Sequence, residues 1–97
     1  AHIRWWAFDG PDTLDNGLCL CSLHHTLLDR GVVGVDVDRT VTVSEQFVAT
    51  GHSAEILVFD LLGNPLREPQ RGKPTPADDH LGWHTSQVFR GPSRMPA

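Results

Sequence analysis

His2, Asn16 and His25 are the residues whose types and order could do chemistry. An imidazole comes first, an Asn-Gly turn follows at Asn16, and a Cys-x-x-His-His cluster opens at Cys21. One free imidazole can activate water, a second can hold a cation, and an amide can fix the first. Such a set suits metal-assisted attack on a phosphodiester. Each member has a plainer role when taken singly. His2 could be a strand-end histidine satisfied by a backbone carbonyl, and Asn16 an ordinary Asn-Gly turn residue. The ordered set carries the reading.

Cys21 and His24 have the span of one half of a tetrahedral zinc site. The other half, typically Cys-x-x-Cys, has no counterpart in this chain. The pair therefore either completes a structural zinc with residues upstream of Ala1 or serves as ordinary core groups. On a helix, His25 points about a hundred degrees away from His24 and is free to face the turn carrying His2. Asp29 shares the His25 face one turn later. It is expected as a second metal ligand or as a helix-end residue paired with Arg30 or Arg4. His84, beside Trp83, could approach the same cleft, with a satisfied surface position as its plainer role. Trp5 and Trp6 invite base stacking, but core packing is the better expectation for both. Arg67, Arg71 and Lys73 form a loose basic loop.

These residues need elements to position them. HIRWWAF, residues 2–8, reads as a strand entering a loop. Gly10-Pro11-Asp12 and Asp15-Asn16-Gly17 are turn chemistry. Leu18 to Cys21 is a short returning strand, and Ser22 is the expected N-cap of a helix. That helix should stop at Gly31, a good C′ residue because the left-handed conformation costs glycine nothing. From Val33 the period changes to two, and valines on both sides of Asp38-Arg39 predict a hairpin. EILVFDLL, residues 55–62, reads as a further strand, and residues 65–77, with four prolines, as an extended connection. Asp78 or Asp79 should cap a last helix ending at Arg90-Gly91, with a frayed tail beyond it.

Ninety-seven residues suit a single domain. Its parts are a core motif over 1–31, a β-rich extension over 32–64, a loop over 65–77 and a C-terminal helix over 78–90. Ala1 lies directly beside a motif residue, so the chain is expected to be a piece of a larger protein. A formal charge of −4 argues against tight nonspecific DNA binding by this piece alone. No apolar run approaches membrane-spanning length. Cys19 and Cys21 are too close for a good disulfide, which points to free thiols or metal ligation in a reducing, cytoplasmic setting.

Taken together, AHIR, NGLCLCSLHHTLLDRG and LGWHTSQVFRG resemble the HNH endonucleases. Within them the chain is most similar to the C-terminal HNH module of bacterial modification-dependent restriction enzymes, which sense phosphorothioate or methylated DNA through an upstream domain. The resemblance implies an α+β fold, with a small ββα-metal (His-Me finger) core, an added hairpin and a C-terminal helix. It implies His2 as general base, Asn16 as the loop-positioning amide and His25 as metal ligand. It also implies double-stranded DNA as substrate, 5′-phosphate products and one divalent ion such as Mg²⁺ or Mn²⁺. Many members carry Asp or His directly before the base, where this chain has Ala1, so Asp29 is expected to supply the second ligand. Cutting both strands would call for a homodimer. The competing expectation is a noncatalytic zinc-supported module binding nucleic acid or protein on the same scaffold, and a third is an RNA-cutting toxin domain.

Overall fold

The structure is a computed structural model and describes residues 1–95. The period-two valines fold back on themselves as predicted. β1 (Val33–Val35) and β2 (Val41–Val43) pair antiparallel, with Val33 opposite Val43 and Val35 opposite Val41. Branching at Cβ stiffens these side chains and suits them to a pleated surface. Between the strands the Arg39 N–H donates to the Asp36 carbonyl at 2.8 Å, with Arg39 at φ 64°. The Thr40 hydroxyl and then its amide hold the Asp38 carboxyl below its ordinary value, at 2.6 and 3.1 Å.

α1 (Ser22–Asp29) stops where the sequence predicts. Gly31 adopts φ +76°, and a Cβ there would lie 2.1 Å from the Val88 carbonyl oxygen. Both the dihedral and the space demand glycine. The helix opens differently from expectation. Cys21 is the N-cap and Ser22 the first helical residue, because the Cys21 carbonyl already accepts the His25 N–H at 2.9 Å. At the other end, α3 (Asp78–Gln87) has Ala77 as N-cap. Asp78 and Asp79 therefore fill its first turn, where carboxylates face the positive end of the helix dipole.

Three further expectations are corrected. Residues 55–62 are not a strand. α2 (His52–Leu57) runs into a 3-10 turn at Phe59–Leu61. A continuous apolar run does not distinguish strand from helix by period, and the edge of β2 is already taken. Gly63 and Asn64 bond to both backbone groups of Val41, while the Arg94 N–H donates to Val43 at 2.8 Å. Helical winding instead buries Val58 and leaves Ile56 and Leu57 exposed. The tail is also tied down through Arg94. Ser93 bridges Ser44, and the Arg94 guanidinium reaches the Phe47 carbonyl at 2.6 Å and lies 4.8 Å over the Phe59 ring. Residues 96–97 of the expected frayed tail lie outside the described residues. Lastly, the strands expected over 2–8 and 18–21 contract to one antiparallel bridge, His2 with Gly17. Trp5 is still extended, and the chain then winds through a 3-10 turn at Trp6–Phe8.

The result is a small α+β fold, with one two-stranded hairpin and three α-helices among the described residues. Leu28, Val33, Val43 and Val58 form one buried cluster, and Ile3, Val35 and Leu81 a second. Leu18 packs against both. Each buried aliphatic side chain contributes roughly 1.5–3 kcal/mol over leaving it in water. The first cluster fixes α1 on the hairpin, and the second fixes the His2 segment under α3. No helix among the described residues is long and apolar enough to cross a membrane.

Candidate active site

The site is built around a buried amide. Asn16 ends a 3-10 turn at Leu14–Asn16 and is 1% exposed. Its Oδ1 accepts the Arg4 N–H at 2.8 Å, and its Nδ2 donates to the carbonyls of Arg4 and Pro11, both at 3.0 Å. Its own carbonyl accepts the Ile3 N–H at 3.0 Å. A free Asn-Gly turn residue would point to water. This one staples the returning segment to the segment that carries His2. Gly10 makes the clasp possible, because its N–H donates to the Trp5 carbonyl and a Cβ there would stand 1.8 Å from the Arg4 carbonyl oxygen.

His2 is held between its bridge to Gly17 and a side chain not foreseen from sequence. Its Nε2 lies 2.6 Å from Asp12 Oδ1. The Gly10-Pro11-Asp12 turn brings that carboxylate back across the loop. Nothing in a ten-residue separation signals such a contact. Only the clasped loop creates it.

On α1 the spacing rule holds. His25 Nε2 and Asp29 Oδ2 are 3.1 Å apart, and both side chains are roughly half exposed. Asp29 pairs with His25 rather than with Arg30 or Arg4. Arg4 instead donates Nε to the Phe8 carbonyl at 2.7 Å and lies 6.0 Å from the Trp83 ring. Two adjacent ligands of an octahedral ion, each about 2.1 Å from it, stand about 3 Å apart. The His25–Asp29 pair fits that spacing with an N and O donor set suited to Mg²⁺, Mn²⁺ or Zn²⁺. Among the described residues no group of three or more His, Cys, Asp or Glu side chains converges as a metal site. Water and phosphate oxygens would have to complete the shell.

The Cys21–His24 pair is also real. Sγ and Nδ1 are 3.1 Å apart, and His24 Nε2 lies 2.8 Å from the Leu57 carbonyl at the end of α2. The nearness of the His24 backbone N–H, aided by the ring, holds the Cys21 thiol below its ordinary value. The pair has two donors and, among the described residues, no third, so it is neither a finished zinc site nor a core group, with Cys21 exposed.

His84 goes elsewhere. It is 1% exposed, neither in an open cleft nor on the surface, and its Nε2 lies 2.8 Å from the Leu28 carbonyl. Burial pushes its pKa down, against the raising effects of the Leu28 carbonyl and Asp29. Its role is to join α3 to α1. Of the two tryptophans expected in the core, Trp5 packs edge-on to Trp83 at 5.8 Å, but Trp6 is 73% exposed. The 3-10 turn at Trp6–Phe8 leaves all three of its side chains exposed, which the sequence period does not reveal.

A clasped loop thus holds one imidazole, and the following helix carries an imidazole–carboxylate pair. Residues 1–36 match the model described as HNH endonuclease, which supports an HNH domain over the segment holding His2, Asp12, Asn16, His25 and Asp29. No curated protein and no solved structure matches the chain.

Proposed function

We propose that the chain is the cleavage module of a metal-dependent DNA endonuclease of the restriction type, acting on modified DNA. The observation that carries this reading is the Asn16 clasp, which fixes the His2 segment inside the family-matched stretch. We read the His2–Gly17 bridge and α1 as a reduced ββα-metal core. His2 then takes a proton from water. The water oxygen attacks phosphorus in line, the P–O3′ bond breaks, and its electron pair leaves on the 3′ oxygen, which solvent protonates. The product keeps a 5′ phosphate. His25 and Asp29 would hold a divalent ion, which supplies charge neutralisation at the phosphate and the departing oxygen. Asn16 contributes by position, since a base displaced by about an ångström loses on the order of a hundredfold in rate.

The partners follow from charge. A net charge of −4 leaves little electrostatic grip on a duplex. Double-stranded DNA would be held mainly by an upstream DNA-reading domain, and two copies of the module would cut both strands. A cytoplasmic location fits this reading. The second reading, a noncatalytic zinc-supported binding module, draws on the Cys21–His24 pair, whose Nε2 anchor on a backbone carbonyl is typical of zinc-binding histidines. Completing that zinc site would require donors from outside this chain.

His2→Ala separates the two. Under the nuclease reading it abolishes Mg²⁺- or Mn²⁺-dependent nicking of DNA and leaves the thermal midpoint and DNA affinity nearly unchanged. A purified His2→Ala protein that still nicks DNA removes His2 as the base. A wild-type chain that binds DNA and zinc but never nicks, with any divalent ion, establishes the second reading.

A further inference from the structure

We infer that Asp12 is a positioning residue for His2, setting which ring nitrogen takes the proton; this rests on the nuclease reading above. The contact is short, 2.6 Å between Asp12 Oδ1 and His2 Nε2, and joins two side chains that are 75% and 42% exposed. No other hydrogen bond engages either side chain among the described residues. A carboxylate can only accept, so a neutral His2 must carry its proton on Nε2. The bare lone pair is then on Nδ1, the nitrogen that would receive the proton from water. Once the proton arrives, the imidazolium faces a carboxylate. The charge that develops during attack is thus met at a fixed distance.

The loop makes this a built contact. Asp12 follows Pro11, whose carbonyl accepts a hydrogen bond from buried Asn16 at 3.0 Å. Pro11 in turn follows Gly10, whose lack of a side chain lets the loop lie against Arg4. The clasp that fixes the His2 segment therefore also fixes the residue beside Asp12. One amide sets both ends of the imidazole–carboxylate pair. A ring held by its backbone alone could still rotate about χ2 and exchange its nitrogens, and the carboxylate removes that freedom.

The test has a spectroscopic arm and a kinetic arm, both on the full chain. Nitrogen-15 spectra of His2 in its neutral form should show Nε2 protonated and Nδ1 bare, with the Nε2 proton slowed in exchange with water. D12A should lose that slowed proton and mix the tautomers. D12N, whose amide oxygen can still accept, should keep most of the Nε2-protonated form. In the kinetic arm, D12A should lower kcat for DNA nicking about ten- to hundredfold with KM little changed, and D12N should recover part of the loss. A His2 protonated on Nδ1, or a D12A protein with wild-type tautomer and rate, overturns the assignment. If the wild type cuts no DNA, the nuclease reading fails, while the spectra still decide whether Asp12 sets the tautomer.

Discussion

The side chain of Asn16 grips both backbone polar groups of Arg4, accepting from its N–H at 2.8 Å and donating to its carbonyl at 3.0 Å. The geometry is that of one further ladder pair, supplied by a side chain. It extends the single His2–Gly17 bridge by two residues without a strand. The segment carrying His2 thus has the rigidity of a sheet where regular pairing has already ended.

Asn16→Ala leaves the Arg4 N–H and the Arg4 and Pro11 carbonyls without this partner. Unpaired buried groups cost about 1–3 kcal/mol each, with part recovered by water. The expected loss is about 2–4 kcal/mol in urea unfolding. Asn16→Asp should fare no better, because it turns an acceptor toward two carbonyls. If the Asn16→Asp variant unfolds at the wild-type urea midpoint, the Nδ2 bonds contribute nothing.

Gly10→Ala attacks the same clasp from the backbone side. Its Cβ would sit 1.8 Å from the Arg4 carbonyl oxygen, so the loop must shift outward. The expected result is a loss of about 1–3 kcal/mol and a fall in DNA nicking larger than stability alone explains. Parallel melting and nicking assays check this.

Asp29→Asn keeps the shape of the His25 face and removes one charge from it. The divalent-ion concentration giving half-maximal nicking should rise about tenfold or more. Mn²⁺ titrations of wild type and variant read this directly. An unchanged ion requirement would remove Asp29 from the ligand set.

His84 gives stability a defined pH dependence. Burial holds its pKa below the ordinary value of 6.5, to which the unfolded chain returns. Below about pH 6.5 the unfolded state therefore binds a proton that the native state refuses. Stability falls as pH drops from there toward the native value, by up to about 1.4 kcal/mol per pH unit, and this residue adds no dependence above it. His84→Gln can still donate to the Leu28 carbonyl but cannot titrate. The difference between urea midpoints at pH 7.5 and 5.5 (the assay conditions, about one unit either side of 6.5) should shrink in that variant.

Cys21 should be the more reactive of the two exposed thiols. The His24 backbone N–H and ring favour its thiolate, the nucleophilic form. Mass spectrometry after brief iodoacetamide treatment at neutral pH should find Cys21 labelled faster than Cys19. His24→Ala should narrow the gap, and zinc should slow Cys21 labelling if the pair binds it. Equal labelling in wild type would discount the pairing.

Local grammar was readable in the amino-acid order alone. The valine period and the Asp38-Arg39 turn specified the hairpin, Gly31 ended α1, and the four-residue step from His25 to Asp29 put both on one face. Each depends on a short-range rule of backbone geometry, so nearby residues suffice to apply it. The tertiary structure decided whatever depended on distant partners. Residues 52–61 became helix and 3-10 turn while other segments took up the β2 edge, and His84 became buried as α3 docked on the Leu28 carbonyl. Asp12 reached His2 because a buried amide folded the loop between them. Apolar runs and isolated polar residues are compatible with several local shapes. Competition for edges, space and hydrogen-bond partners across the whole chain selects one.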